Sequence, residues 1–133
     1  MFQINKRGDP AMPNQIILYI GAAITFLWGT AHLFPTASVV KGFGDITADN
    51  RNIVTMEWIV EGITLIFIGF IVAGITYIGE ENNVSVFIYL SSAVILIVLA
   101  IVSLFTGFKV TFFSFKLCPF IFTLSAVLIL VGY

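Results

Sequence analysis

Residues 56–62 read MEWIVEG and set two carboxylates, Glu57 and Glu61, four residues apart in a long apolar run. If that run is helical, both carboxylates and Thr64 share one face. His32, Lys116 and Cys118 are the other reactive groups embedded in apolar sequence. Three chemistries are open to such a set. A metal is the first, since His32, Glu57 and Glu61 offer one nitrogen and two carboxylates, which zinc or non-haem iron accepts. Carboxylate-bridged di-metal bundles, however, use Glu-x-x-His pairs from two helices, and this chain has one histidine in all. Bis-histidine haem fails on the same ground, so no metal and no cofactor is expected. Nucleophilic catalysis needs a nucleophile, a base and an orienting group. Cys118 with His32 and a glutamate could supply them, although a single cysteine in an apolar helix is expected to serve packing. The third chemistry fits best. A carboxyl beside an imidazole can exchange a proton near neutrality, and apolar walls with a few convergent polar groups make a ligand pocket.

Composition narrows the setting. Of 133 residues, 59% are hydrophobic and only 10% are charged, against about 25% charged in a soluble domain. A monomer of this size cannot hide so much apolar surface from water, whereas lipid removes the need to hide it. The net charge of -1 leaves no broad basic face, so nucleic acid is not an expected partner. One cysteine excludes an internal disulfide and the paired-thiol oxidoreductases. No glycine-rich phosphate loop is present, and GFG at 42–44 is too short to act as one.

The elements that must position these groups are four membrane helices in an up-down, all-α bundle. A span needs about 20 apolar residues. Residues 15–34, 53–78 and 84–106 meet that length, the first bounded by Pro13 and Pro35. From Pro119 to Gly132 there are only 14 residues, about 21 Å of helix, which is too short. The fourth helix is therefore expected to begin near residue 111 and run to 132, with Pro119 inside it and the Phe115 carbonyl freed. An extended or re-entrant VTFFSF segment before a half-helix is the alternative. Lys6 and Arg7 resemble the basic start of a signal peptide, but the apolar run is long and no A-x-A site follows it, so the first helix is expected to remain. Residues 1–14 form an N-terminal tail. The 18-residue connection 35–52 is long for so small a chain. Its TASVVKGFG stretch suits a short interfacial helix capped by Thr36 and ended by Gly42 or Gly44, with Asp49 or Asn50 capping the second span.

Depth then groups the side chains. His32 ends the first span and Ile53 opens the second on the same face, which puts Glu57 about 6 Å and Glu61 about 12 Å into the membrane. Lys116 and Cys118 enter from that face too. Glu57 has two readings, headgroup layer or pocket. Glu61 is too deep for the first, because a charged acid near a helix centre costs about 3 kcal/mol. It is expected to be buried and paired with His32, Lys116 or Arg51. Trp28 and Trp58 suit an interfacial belt or the pocket wall. Seven of the fourteen phenylalanines fall between residues 105 and 122, either as lipid-facing bulk or as an aromatic wall. Gly21, Thr25 and Gly29 repeat every four residues, a ridge for close helix approach. The serines and threonines of the third span are given no chemistry. Lys41 and Arg51 of loop 1 (35–52), with Lys109 and Lys116 in and just after loop 3 (107–110), outnumber Lys6 and Arg7, which favours loops 1 and 3 in the cytoplasm.

Four spans in about 130 residues, with WGTAHLF closing the first, a long polar loop, and an acidic second helix, resemble small bacterial membrane proteins of the DoxX-like kind. The resemblance is one of layout over the whole chain and implies a four-helix fold in a bacterial inner membrane. It carries over no catalytic residue. The expected function is binding of a small apolar or amphipathic ligand, or handling of a proton, in a pocket lined by Trp28, His32, Glu57, Trp58, Glu61 and Lys116, with membrane lipids as surroundings and a role as accessory subunit. The rivals are a membrane-embedded enzyme using Glu61 and His32 as acid and base on a lipid-like substrate, and a structural partner, homo-oligomeric or hetero-oligomeric, that assembles through the helix 1 ridge.

Overall fold

The computed structural model describes residues 14–133. The expected tail with Lys6, Arg7 and Pro13 lies outside the described residues, except for Asn14. That residue begins the fold as the cap of α1 (Gln15–Leu33), its side chain accepting the Ile17 N–H at 3.3 Å. The other helices are α2 (Thr36–Lys41), α3 (Ala48–Ile78), α4 (Asn83–Gly107) and α5 (Phe113–Gly132). No strand occurs among the described residues. Helices α1, α3, α4 and α5 are each long and apolar enough to cross a membrane, and their outward faces carry large apolar residues such as Phe67, Phe70, Phe87 and Ile101. The chain is a small integral membrane protein built as a four-helix bundle.

Three boundaries differ from the sequence reading. Helix α3 starts at Ala48, five residues before Ile53, because Thr47 rather than Asp49 or Asn50 is its cap. The Thr47 hydroxyl accepts the Asn50 N–H at 3.2 Å, and Asp49 lies in the first turn, where the helix dipole favours a negative charge. Hydropathy marks the apolar run, not where the helix begins. Thr36 does not cap α2. It is the first helical residue, and its hydroxyl donates back to the Leu33 carbonyl at 2.7 Å. Helix α5 opens at Phe113 with Pro119 inside it, so the segment before Pro119 is helical rather than extended.

Around the bundle the order is α3, α1, α5, α4, with the α3–α4 seam the weakest. The far end, opposite loops 1 and 3, is closed by short links. Asn14 N–H donates to the Gly132 carbonyl at 2.6 Å, and Gly79 ends α3 at φ +70° before the Asn82–Ser85 capping box starts α4. There α3 and α4 do touch, through a 3.0 Å hydrogen bond between the Thr76 and Tyr89 hydroxyls.

The small-residue ridge of α1 is consumed inside the monomer. A Cβ on Gly29 would stand 2.7 Å from the Gly62 carbonyl oxygen, and one on Gly21 would stand 3.2 Å from Leu128 Cβ. Thr25 is buried between them. Assembly through this ridge, one of the three functions the sequence left open, therefore loses its surface.

Candidate functional site

Helical rise fixes the depth of each group. Glu61 lies about 26 Å from Ile78 along α3, and His32 about 26 Å from Gln15 along α1. Both fall inside a hydrocarbon core of about 30 Å whose far edge is at the short-link end. Cys118 is about 21 Å from Gly132. Glu57 is about 32 Å from Ile78 and so reaches the headgroup layer, in keeping with its exposed side chain. The two glutamates, one turn apart, thus sit on either side of the boundary.

His32 is the hub. It is 5% exposed, and its Nδ1 lies 3.0 Å from the Trp28 carbonyl oxygen. A carbonyl only accepts, so Nδ1 carries the hydrogen, and Nε2 is an acceptor on the neutral ring and a donor on the protonated one. Nε2 faces Glu61, with Nε2 and Oε1 3.7 Å apart. From behind, the Trp58 indole N–H donates to the His32 carbonyl at 2.5 Å while its ring stacks on the imidazole at 4.7 Å. Trp28 meets the same imidazole edge-on at 5.7 Å. Phe115 of α5 packs on Trp58 at 5.2 Å, and Phe112 packs on Phe115 at 6.1 Å. A line of rings therefore covers the pair on its loop side. Cys118 completes the cluster, its Sγ within 4.8 Å of the His32 and Glu61 ligand atoms.

Between α3 and α4, on the loop 1 side of the Thr76–Tyr89 contact, lies a groove of about 480 Å³, within the range of small-molecule sites. Glu57, Trp58, Val60, Glu61 and Thr64 form one wall, and Leu99, Val102, Ser103 and Thr106 the other, with Phe43 of loop 1 and Phe115 and Cys118 of α5 completing it. Val60 and Val102 are more than half exposed, so the groove opens sideways to lipid. Helix α5 can pack against the end of α4 there because Gly107 has no side chain; a Cβ would stand 2.5 Å from the Phe115 carbonyl oxygen. Pro119 leaves that carbonyl without its helical donor.

The sequence-named residues divide into three groups. Glu57, Trp58 and Glu61 line the groove. His32 and Trp28 stand behind it, and His32 touches Glu61. Lys116 is half-buried and lines none of the groove. Among the described residues Glu61 pairs with His32, and neither Lys116 nor Arg51 forms an ion pair. Trp58, 7% exposed, is not a belt residue; its ring is spent on His32. The phenylalanines split, with Phe115 in the wall, Phe122 in the core and Phe105, Phe113 and Phe120 facing lipid. Sequence reasoning set aside Cys118, Ser103 and Thr106. Cys118 could have been found from its depth, and Ser103 and Thr106 from their shared place on the loop side of the third span. The chain matches no family model, no curated protein and no solved structure.

Proposed function

We propose that the α3–α4 groove binds one amphipathic, lipid-like molecule drawn sideways from the membrane, with a hydrogen-bond-donating head at Glu61 and its tail along Val60, Thr64, Leu99 and Val102. The observation that carries this reading is a groove open to lipid with a carboxylate on its inner wall, backed by an imidazole. Glu61 is the acceptor for a hydroxyl or ammonium head, and His32 holds it in place or shares a proton with it. His32 does not line the groove, which favours binding over the enzyme reading, since an acid–base pair must both reach the substrate. In this reading the setting is a bacterial inner membrane, on the resemblance of layout to DoxX-like proteins alone, and the excess of Lys and Arg favours loops 1 and 3 in the cytoplasm, with the protein acting as a ligand-holding or accessory subunit.

Native mass spectrometry on nanodisc-released protein tests the reading. With a long-chain primary alcohol added, the expected result is one bound molecule per chain for the unaltered protein and none for Val102→Trp, which fills the groove. Equal binding to both proteins, or multiple unsaturable adducts, contradicts the reading.

A further inference from the structure

We propose that His32, Glu61 and Cys118 form a binding site for a divalent transition-metal ion of the zinc type. This inference shares Glu61 with the ligand reading but does not rest on it, because the ion is held by three side chains whether or not the groove is occupied. Its starting point is the spacing of the ligand atoms. With the Nδ1 hydrogen engaged by the Trp28 carbonyl at 3.0 Å, neutral His32 presents the Nε2 lone pair to a carboxylate oxygen 3.7 Å away. A cation relieves the repulsion of such a pair, either a metal ion between them or the proton of an imidazolium. The separation is too long for a direct hydrogen bond. It is close to the spacing of about 3.4 Å that two ligands of one tetrahedral zinc adopt.

The third ligand is in place. Cys118 Sγ, His32 Nε2 and a Glu61 oxygen all lie within 4.8 Å of one another, and the widest of these separations needs to close by about 1 Å to meet zinc distances. Three helices supply the three atoms, so the site exists only in the folded bundle. Nitrogen, oxygen and thiolate suit a borderline-soft ion. The His32–Trp28 carbonyl contact is the kind of outer hydrogen bond that fixes a ligating imidazole. Trp28 Nε1, on the turn that carries His32, is buried without a hydrogen-bond partner, a donor available to an anionic ligand of the ion. Charge adds a further argument. On binding, Cys118 gives its thiol proton to the buffer, and bonds form from the ion to Sγ, Nε2 and the carboxylate. The ion's two positive charges are then cancelled by one thiolate and one carboxylate, leaving a neutral centre, the form least costly beside hydrocarbon. Glu61 and Cys118 both line the groove, so the fourth coordination position opens towards it, free for water or a ligand head.

The test uses the full chain in detergent, stripped with a chelator and titrated with Co²⁺. The expected result is one equivalent bound, with a thiolate-to-cobalt charge-transfer band and tetrahedral visible bands, both erased by Zn²⁺. Cys118→Ser abolishes the charge-transfer band, Glu61→Gln weakens binding at least about tenfold, in line with loss of a charged ligand, and Glu80→Gln at the far end leaves it unchanged. Should the variants fold poorly, the unaltered protein still decides. Zn²⁺ slows alkylation of Cys118 about tenfold or more, and chelator restores the rate. A helical, monodisperse protein that shows no cobalt–thiolate band and no zinc protection overturns the proposal and leaves a proton as the cation between His32 and Glu61. Zinc binding by Cys118→Ser and by Glu61→Gln as tight as that of the unaltered protein overturns it as well.

Discussion

Helix α3 has two seams that differ in kind. Against α1 it meets bare backbone. A Cβ on Gly62 would stand 3.0 Å from the Gly29 carbonyl oxygen, and one on Gly69 would stand 2.6 Å from the Ala22 carbonyl oxygen. Against α4 it touches at Thr76 and Tyr89 and then parts to leave the groove. Lipid gives no hydrophobic reason for two helices to meet, so backbone approach and hydrogen bonds decide where they do. Missing side chains close the first seam. On the second, Trp58 and Glu61 face the groove but are bonded to His32, and among the described residues α4 makes no hydrogen bond to α3 along the groove beyond the Thr76–Tyr89 contact at its far end. A rigid α1–α3 pair thus carries the polar groups, and a looser α4 borders them.

The largest effect is expected from breaking the closed seam. Gly69→Val should destabilise the protein by about 3 kcal/mol, since the obstacle is α1 backbone that cannot rotate away. Gly74, where an added Cβ meets nothing within 4 Å, is the control, and Gly74→Val should stay within about 0.5 kcal/mol. Unfolding by SDS in mixed micelles reads both.

Next comes the glutamate pair. Glu61→Gln should weaken binding of the long-chain alcohol by about tenfold or more, as loss of a charged hydrogen-bond partner implies. Glu57→Gln, at the exposed rim, should change it by no more than about threefold. Titration followed by native mass spectrometry separates the two variants, and equal effects would erase the distinction between their depths.

Trp58→Phe keeps an aromatic ring but deletes the pyrrole half of the indole with its donor to the His32 carbonyl, so a stability loss of about 1 kcal/mol or more is expected in the same SDS assay. The smallest effect belongs to the contact that ends the open seam. Thr76→Val removes the hydrogen bond to Tyr89 and should cost about 0.6 kcal/mol, the average for such pairs in membranes.

Much of the scaffold was legible because hydrophobic length and a few turn residues determine it. The four spans fall within a few residues of their expected limits, apart from the start of α3, where Thr47 extends the helix into polar sequence. Depth was legible in part: it assigned His32, Glu61 and Cys118 to one leaflet, with Lys116 beside them, but set His32 at the membrane face and Glu61 about 12 Å in. What the sequence withheld is which faces meet. Spacing placed Gly21, Thr25 and Gly29 on one face but could not say that the partners are α3 and α5 of the same chain. It could not show that Trp58 turns inward to His32, nor that α4 stands off from α3 at one end only. Lys116 shared the right depth, yet depth carries no information on direction around a helix.

The most direct test of the open seam is fluorescence of Trp58 as the single tryptophan, in Trp28→Phe protein reconstituted with a long-chain alcohol brominated on its tail. Trp58 is nearly buried and is one of the residues lining the groove. The predicted result is quenching that saturates at one alcohol per chain and disappears when Val102→Trp, itself read out after adding Trp58→Phe as a blank, fills the groove. Quenching that rises linearly with alcohol and ignores Val102→Trp, or no quenching at all, would contradict an open α3–α4 seam.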